Sequence, residues 1–114
     1  MLKKQKATAE FEARLRAKDE EKYVLRLYIA GTTSRSARAV ANIRQICEDN
    51  LGGRYNLEVI DIYQKPALAK GEQIVAVPTL VKKLPLPLRR FIGDLSDTER
   101  VLVGMDLTTT TTVP

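Results

Sequence analysis

Three of the five prolines in this chain fall within ten residues, at Pro78, Pro85 and Pro87. The stretch that holds them, Val77-Pro78-Thr79-Leu80-Val81-Lys82-Lys83-Leu84-Pro85-Leu86-Pro87-Leu88-Arg89-Arg90-Phe91-Ile92-Gly93-Asp94-Leu95-Ser96-Asp97, limits what the second half can become. Proline lacks a backbone N–H and interrupts both helix and ladder hydrogen bonding. Pro78 therefore belongs at a strand entrance, and Pro85 and Pro87 stiffen a connector between two short apolar runs. An X-Pro bond favours trans by only about 0.5–1 kcal/mol and isomerises over tens to hundreds of seconds. Short elements separated by several such bonds can hold alternative arrangements, so this stretch points toward switching rather than chemistry.

At 114 residues the chain is long enough for one domain with a modest core. No apolar run approaches the roughly 20 residues needed to span a bilayer. The N-terminus lacks the basic-then-apolar order of a signal peptide. A soluble cytoplasmic protein with no membrane partner is expected. The one cysteine, Cys47, excludes an internal disulfide and suits a reducing compartment. Beside Ile43 and Ile46 it reads as a small buried hydrophobe. There is no histidine. The commonest general base and the commonest metal ligand are thus missing, and no zinc site or Cys-His nucleophile can be assembled in one chain. The net charge of +5 favours acidic partner surfaces. Its basic residues are mixed with acids and aromatics are few, so no nucleic-acid interface is expected.

Residues 1–22 are rich in good helix formers, with Phe11 and Leu15 as a thin apolar stripe and Glu12–Arg16 as a favourable pair. They predict a helical extension. Residues 23–30 predict a strand covered on both faces, with a single charge at Arg26. Gly31-Thr32-Thr33-Ser34 turns into a helix capped by Ser34 or Ser36, with Ala37, Val40, Ile43 and Cys47 at helical spacing, and Gly52-Gly53 ends it. Residues 55–62 form a second strand, parallel to the first through the helical crossover. Residues 66–75 are a short helix or turn begun by Pro66. Strands follow at 79–83 and 88–93. Ser96-Asp97-Thr98-Glu99 fits a capping box for a last helix whose apolar face is Val101, Leu102 and Met105. Residues 108–114 are a Thr-rich tail. The order β-α-β-α-β-β-α over residues 23–107 is a thioredoxin-like α/β plan, a mixed sheet with helices on both faces. By analogy with that fold, Val77-Pro78-Thr79 is where a cis-proline precedes the third strand.

No catalytic set emerges, and neither an enzyme nor a cofactor site is expected. Dithiol exchange needs a second sulfur beside the first, yet Thr32-Thr33-Ser34-Arg35-Ser36 occupies the corner where thioredoxin-like enzymes keep Cys-x-x-Cys, and Cys47 lies several turns away. There is no phosphate-loop or dinucleotide motif. Asp94 and Asp97 read as a turn residue and a helix-start acid, and Asp61 as a polar strand end. Ser34 and Ser36 have no base. The last helix carries conflicting signals. Gly104 inside it costs about 1 kcal/mol relative to alanine, and Asp106 near its C-terminus costs about 0.3–1 kcal/mol. Ordinary fraying and a choice between two packings both fit these residues.

Four segments carry a family resemblance: Tyr28-Ile29-Ala30-Gly31-Thr32, Val59-Ile60-Asp61-Ile62, the Leu84-Pro85-Leu86-Pro87-Leu88-Arg89-Arg90 run with Ile92-Gly93-Asp94-Leu95-Ser96-Asp97, and Val101-Leu102-Val103-Gly104-Met105-Asp106-Leu107. From Tyr23 to Leu107 the chain resembles the KaiB family of circadian-clock proteins. The resemblance implies a self-associated ground state, dimer or tetramer, whose C-terminal half is ordered differently. It implies slow conversion to a thioredoxin-like form that binds the clock ATPase KaiC. Tyr23, Gly104 and Asp106 match positions that bias this equilibrium, and Pro78, Pro85 and Pro87 lie in the half that rearranges. Arg38 and Arg90, with Arg26 and Lys82, match partner-contacting cations. Gly104→Ala with Asp106→Arg is expected to enrich the thioredoxin-like monomer. The implied function is a non-catalytic clock or stress-timing regulator. The alternative is a thioredoxin-like sensor module that docks a histidine kinase, and a third is a degenerate redox enzyme. Thr32-Thr33-Ser34 in place of the family's usual Asn-Thr-Pro, and Glu58 in place of a lysine, mark a divergent member.

Overall fold

The computed structural model describes residues 22–107. Except for Lys22, the predicted N-terminal helix lies outside them, as does the tail at 108–114. The described elements follow the predicted order: β1 (Tyr23–Ile29), α1 (Ser34–Leu51), β2 (Tyr55–Asp61), α2 (Pro66–Gly71), β3 (Thr79–Leu84), β4 (Arg89–Ile92) and α3 (Thr98–Gly104). They form one four-stranded sheet in the order β2-β1-β3-β4. β1 runs parallel to β2, as the helical crossover requires, and antiparallel to β3, which pairs antiparallel with β4. The fold is thioredoxin-like. The Val77–Pro78, Leu84–Pro85 and Leu86–Pro87 bonds are all cis.

Side chains alternate across a strand, so β1 divides its residues between two unequal cores. Tyr23, Leu25 and Leu27 face α1 and α3, packing with Ala39, Ile43, Ile46, Cys47, Leu51, Leu80, Phe91, Val101 and Met105. Tyr28 faces the other way, into a small cluster with Ile60, Val81 and Ala69 of α2. The asymmetry follows from helix length. α1 has 18 residues and α2 has six, so α2 covers only part of its face.

Helix ends differ from expectation in two places. The cap of α1 is Thr33, not Ser34 or Ser36. Its backbone is extended and its Oγ1 accepts from the Ser36 N–H at 3.0 Å. The cap of α3 is Asp97, which accepts from the Arg100 N–H at 3.2 Å. The Ser96 N–H donates to Asp94 Oδ1 at 3.0 Å and is not free for the reciprocal bond that a capping box takes from its Glu. Gly52 closes α1 in the left-handed conformation, as expected.

The helices of the C-terminal half close by the same device without glycine. After α2, Gln73 is left-handed at φ 57°, its N–H bonds Lys70 O at 3.0 Å, and the Ile74 N–H bonds Ala69 O at 3.0 Å. After α3, Asp106 is left-handed at φ 58°, its N–H bonds Val103 O at 3.1 Å, and the Leu107 N–H bonds Leu102 O at 2.9 Å. Both are Schellman closures, whose left-handed position glycine fills best. Leu95, at φ 62°, is a third strained site. Before Gln73, every described residue with positive φ is a glycine.

Candidate partner interface

The corner between β1 and α1, where a thioredoxin-like fold can carry redox chemistry, holds Thr32, Thr33, Ser34 and Arg35. Cys47 is fully buried in the larger core, where burial pushes its thiol up to about 12. A thiol held protonated and out of reach is a poor nucleophile.

The four candidate cations do not form one patch. Arg26 on β1 stands opposite Glu58 on β2, with Nε 3.4 Å from Glu58 Oε1. Its Nη1 lies 3.9 Å from Glu72 Oε1, at the end of α2. Arg90 on β4 pairs in register with Val81 and so faces the same side as Arg26. It donates from Nη2 to Glu72 O at 2.7 Å and from Nη1 to Gln73 O at 3.2 Å. Arg38 is elsewhere, on α1, with Nε 3.3 Å from Asp94 Oδ2 and its side chain more than half exposed. Asn42 Nδ2 adds a 2.7 Å bond to Asp94 O, fastening the loop after β4 to α1. Hydrogen bonds from Ser96, then the Arg38 guanidinium, hold the Asp94 carboxyl below its ordinary value.

Lys82 requires a correction. It is fully buried on the α1 side of the sheet, opposite Leu25, with its ammonium 6.0 Å from the centroid of the Tyr23 ring. It cannot meet a partner in this form. The cause is alternation: Lys82 lies two residues from Leu80, which packs in the larger core, and so shares its face, whereas the register shift between Val24 and Leu25 comes only after it, at Lys83. Lys83 carries the outward charge instead, donating to Glu72 Oε1 at 2.7 Å. Sequence reading missed both Lys83 and Glu72. Alternation already dictated that one of two successive lysines turn inward; the packing of Leu80 on the α1 side of the sheet and Val81 on the other decides which.

The residues matched to conformational bias separate into groups. The Tyr23 hydroxyl donates to Met105 O at 2.8 Å, tying the start of β1 to the end of α3. Gly104 is in the last turn of α3, and a Cβ there would stand 2.6 Å from Phe91 Cζ and closer still to Cε1. Asp106 is the left-handed closing residue of the same helix. Tyr23, Gly104 and Asp106 thus converge on one joint. Pro78 lies at the entrance of β3, where its carbonyl accepts from the Gly93 N–H at 3.0 Å. Pro85 and Pro87 occupy the β3–β4 turn at the other end of that strand, beside the exposed Leu84, Leu86 and Leu88.

Among the described residues no helix is long and apolar enough to cross a membrane. The chain is similar to solved thioredoxin-like structures. It matches the N-terminal domain of SasA from Synechococcus elongatus at TM-score 0.63 and 22% identity, covering 81% of this chain and 90% of that one. It matches chloroplastic thioredoxin z at TM-score 0.63 and 18% identity, covering 83% and 88%. In sequence it is 52% identical over 89 residues to the circadian clock protein KaiB3 of Synechocystis sp., covering 78% of this chain and 87% of that protein. It is 53% identical over 85 residues to the circadian clock oscillator protein KaiB of Synechococcus elongatus, covering 75% and 83%. The KaiB domain model matches residues 26–107. The extent of that match and the thioredoxin-like sheet on which it lies place this chain in the KaiB family of circadian clock proteins.

Proposed function

We propose that this chain is a non-catalytic, cytoplasmic, fold-switching regulator. In the thioredoxin-like form it docks on a KaiC-type ATPase and modulates the phosphorylation and ATPase cycle of that partner. A self-associated ground state, dimer or tetramer, holds it in reserve. The observation that carries this reading is the distribution of left-handed residues. Gln73, Leu95 and Asp106 fall in the half that the family reading rearranges, whereas the left-handed positions before them are glycines. A side chain in that conformation costs roughly 1–2 kcal/mol. Three such sites amount to at least about 3 kcal/mol, or roughly a hundredfold or more in an equilibrium constant, available to a competing packing that relieves them. A partner that binds only the thioredoxin-like form then draws the population toward it.

Of the four cations matched to partner contacts, Arg38, Arg90 and Arg26 reach the surface in this form; a guanidinium binds a carboxylate through paired N–H donors. The test is capture of the full chain on a KaiC-type ATPase from the same cell, with and without nucleotide, in parallel with Arg38→Ala plus Arg90→Ala. Nucleotide-dependent capture that the double variant weakens supports the reading. Capture of a histidine kinase alone would favour the sensor-module alternative, and unaltered affinity of the variant would remove those arginines from the interface.

A further inference from the structure

We infer that Glu72 is a positioning residue, which clamps the end of α2 to the sheet and thereby presents Arg90 as a preorganised fork. The inference rests on the docking reading above. Glu72 is the C-cap of α2, with its side chain 12% exposed. One carboxylate oxygen, Oε1, accepts from Lys83 Nζ at 2.7 Å and from the Tyr28 hydroxyl at 3.3 Å, with Arg26 Nη1 at 3.9 Å. These partners come from β3 and β1, so the side chain fastens the helix end to the middle of the sheet. The backbone of the same residue does the second task. The left-handed turn at Gln73 brings the carbonyls of Glu72 and Gln73 within reach of one guanidinium, that of Arg90 on the edge strand β4. A guanidinium has five N–H donors in a rigid plane. Two hydrogen bonds orient it, and the remaining donors stay available on an exposed residue.

The carboxylate never touches Arg90, so its effect passes through the position of the helix end. With glutamine at 72, Lys83 and Arg26 lose their shared anion and the turn at 72–73 loses its anchor. Arg90 then becomes an ordinary flexible side chain that must be ordered on binding. Ordering one such side chain takes about 0.5–1.5 kcal/mol, which is roughly two- to tenfold in affinity.

The experiment is a double-mutant cycle on the full chain with Glu72→Gln and Arg90→Ala. It is read by titration against the KaiC-type ATPase and, on the free protein, by NMR of the Arg90 Nε–H. Glu72→Gln should weaken binding roughly two- to tenfold, and the double variant should bind like Arg90→Ala alone, because the first change acts through the second residue. The Arg90 Nε–H should be resolved and slow to exchange in the parent and collapse toward the free-arginine position in Glu72→Gln. Glu72→Asp, which keeps the charge, should restore part of both signals. Additive losses in the cycle, or an Arg90 signal unchanged by Glu72→Gln, overturn the inference. Failure of the parent chain to bind the ATPase overturns the docking reading instead, and the NMR signal then decides the clamp by itself.

Discussion

Replacing Gly104 by alanine sets two effects against each other, and the structure says which wins. Inside a helix, alanine is favoured over glycine by about 1 kcal/mol. Taken alone, that gain would stabilise α3 and the thioredoxin-like form, in line with the expectation drawn from the family resemblance. The new Cβ, however, would lie 2.6 Å from Phe91 Cζ and closer to Cε1, well inside van der Waals contact. Phe91 is only 8% exposed and wedged into the larger core, so the ring must turn or α3 must lift. Forcing an extra methyl into a packed core costs about 1–3 kcal/mol. Set against a mid-range cost of about 2 kcal/mol, the helix gain of about 1 kcal/mol leaves Gly104→Ala destabilising this arrangement by about 1 kcal/mol, a fall in Tm of about 4–8 °C for a domain of this size. In a Phe91→Leu background the obstacle is gone, and the same substitution should become stabilising by up to about 1 kcal/mol. Urea and thermal unfolding of the four variants measure the coupling, while methyl NMR reports which fold each one populates. A Gly104→Ala variant that raises both stability and the thioredoxin-like population with Phe91 intact would refute this reasoning.

Other perturbations follow from the same contacts. Asp106→Gly places glycine at the left-handed close of α3 and should stabilise the thioredoxin-like form by about 1 kcal/mol, read as a rise in Tm; no change would mean that Asp106 is not strained there. The Lys83 ammonium, helped by Tyr28 and Arg26, lowers the Glu72 carboxyl from its ordinary value. A carboxyl depressed in the folded state contributes stability that is complete above its unfolded value of about 4.3 and disappears as pH falls through the folded value. Stability should therefore decline below about pH 5, and Glu72→Gln should flatten part of that decline; an identical acid profile in the variant would contradict it. Cys47 should resist a thiol reagent at pH 8 in the native protein and react once it is unfolded in urea, because burial keeps it protonated. Rapid native labelling would show that the core around α1 opens.

Much of this protein was decided locally and is therefore legible in the order of its residues. β1 was readable because Tyr23, Leu25 and Leu27 carry no polar alternation, and α1 because Ala39, Ile43 and Cys47 recur at helical spacing before a glycine pair. The absence of a dithiol at Thr32–Ser36 is likewise a matter of composition. What depended on distant partners was not readable. The inward turn of Lys82 was settled only when Leu80, two residues before it, packed into the core beneath α1. Glu72 became a hub only when α2 brought it over Tyr28 and Lys83, residues far from it in the chain or on another element. The obstacle to a side chain at Gly104 is a ring from β4, which no helix propensity anticipates. Periodicity and turn chemistry act over a few residues and survive in the sequence; register, burial of charge and close approach are settled only when strands and helices meet.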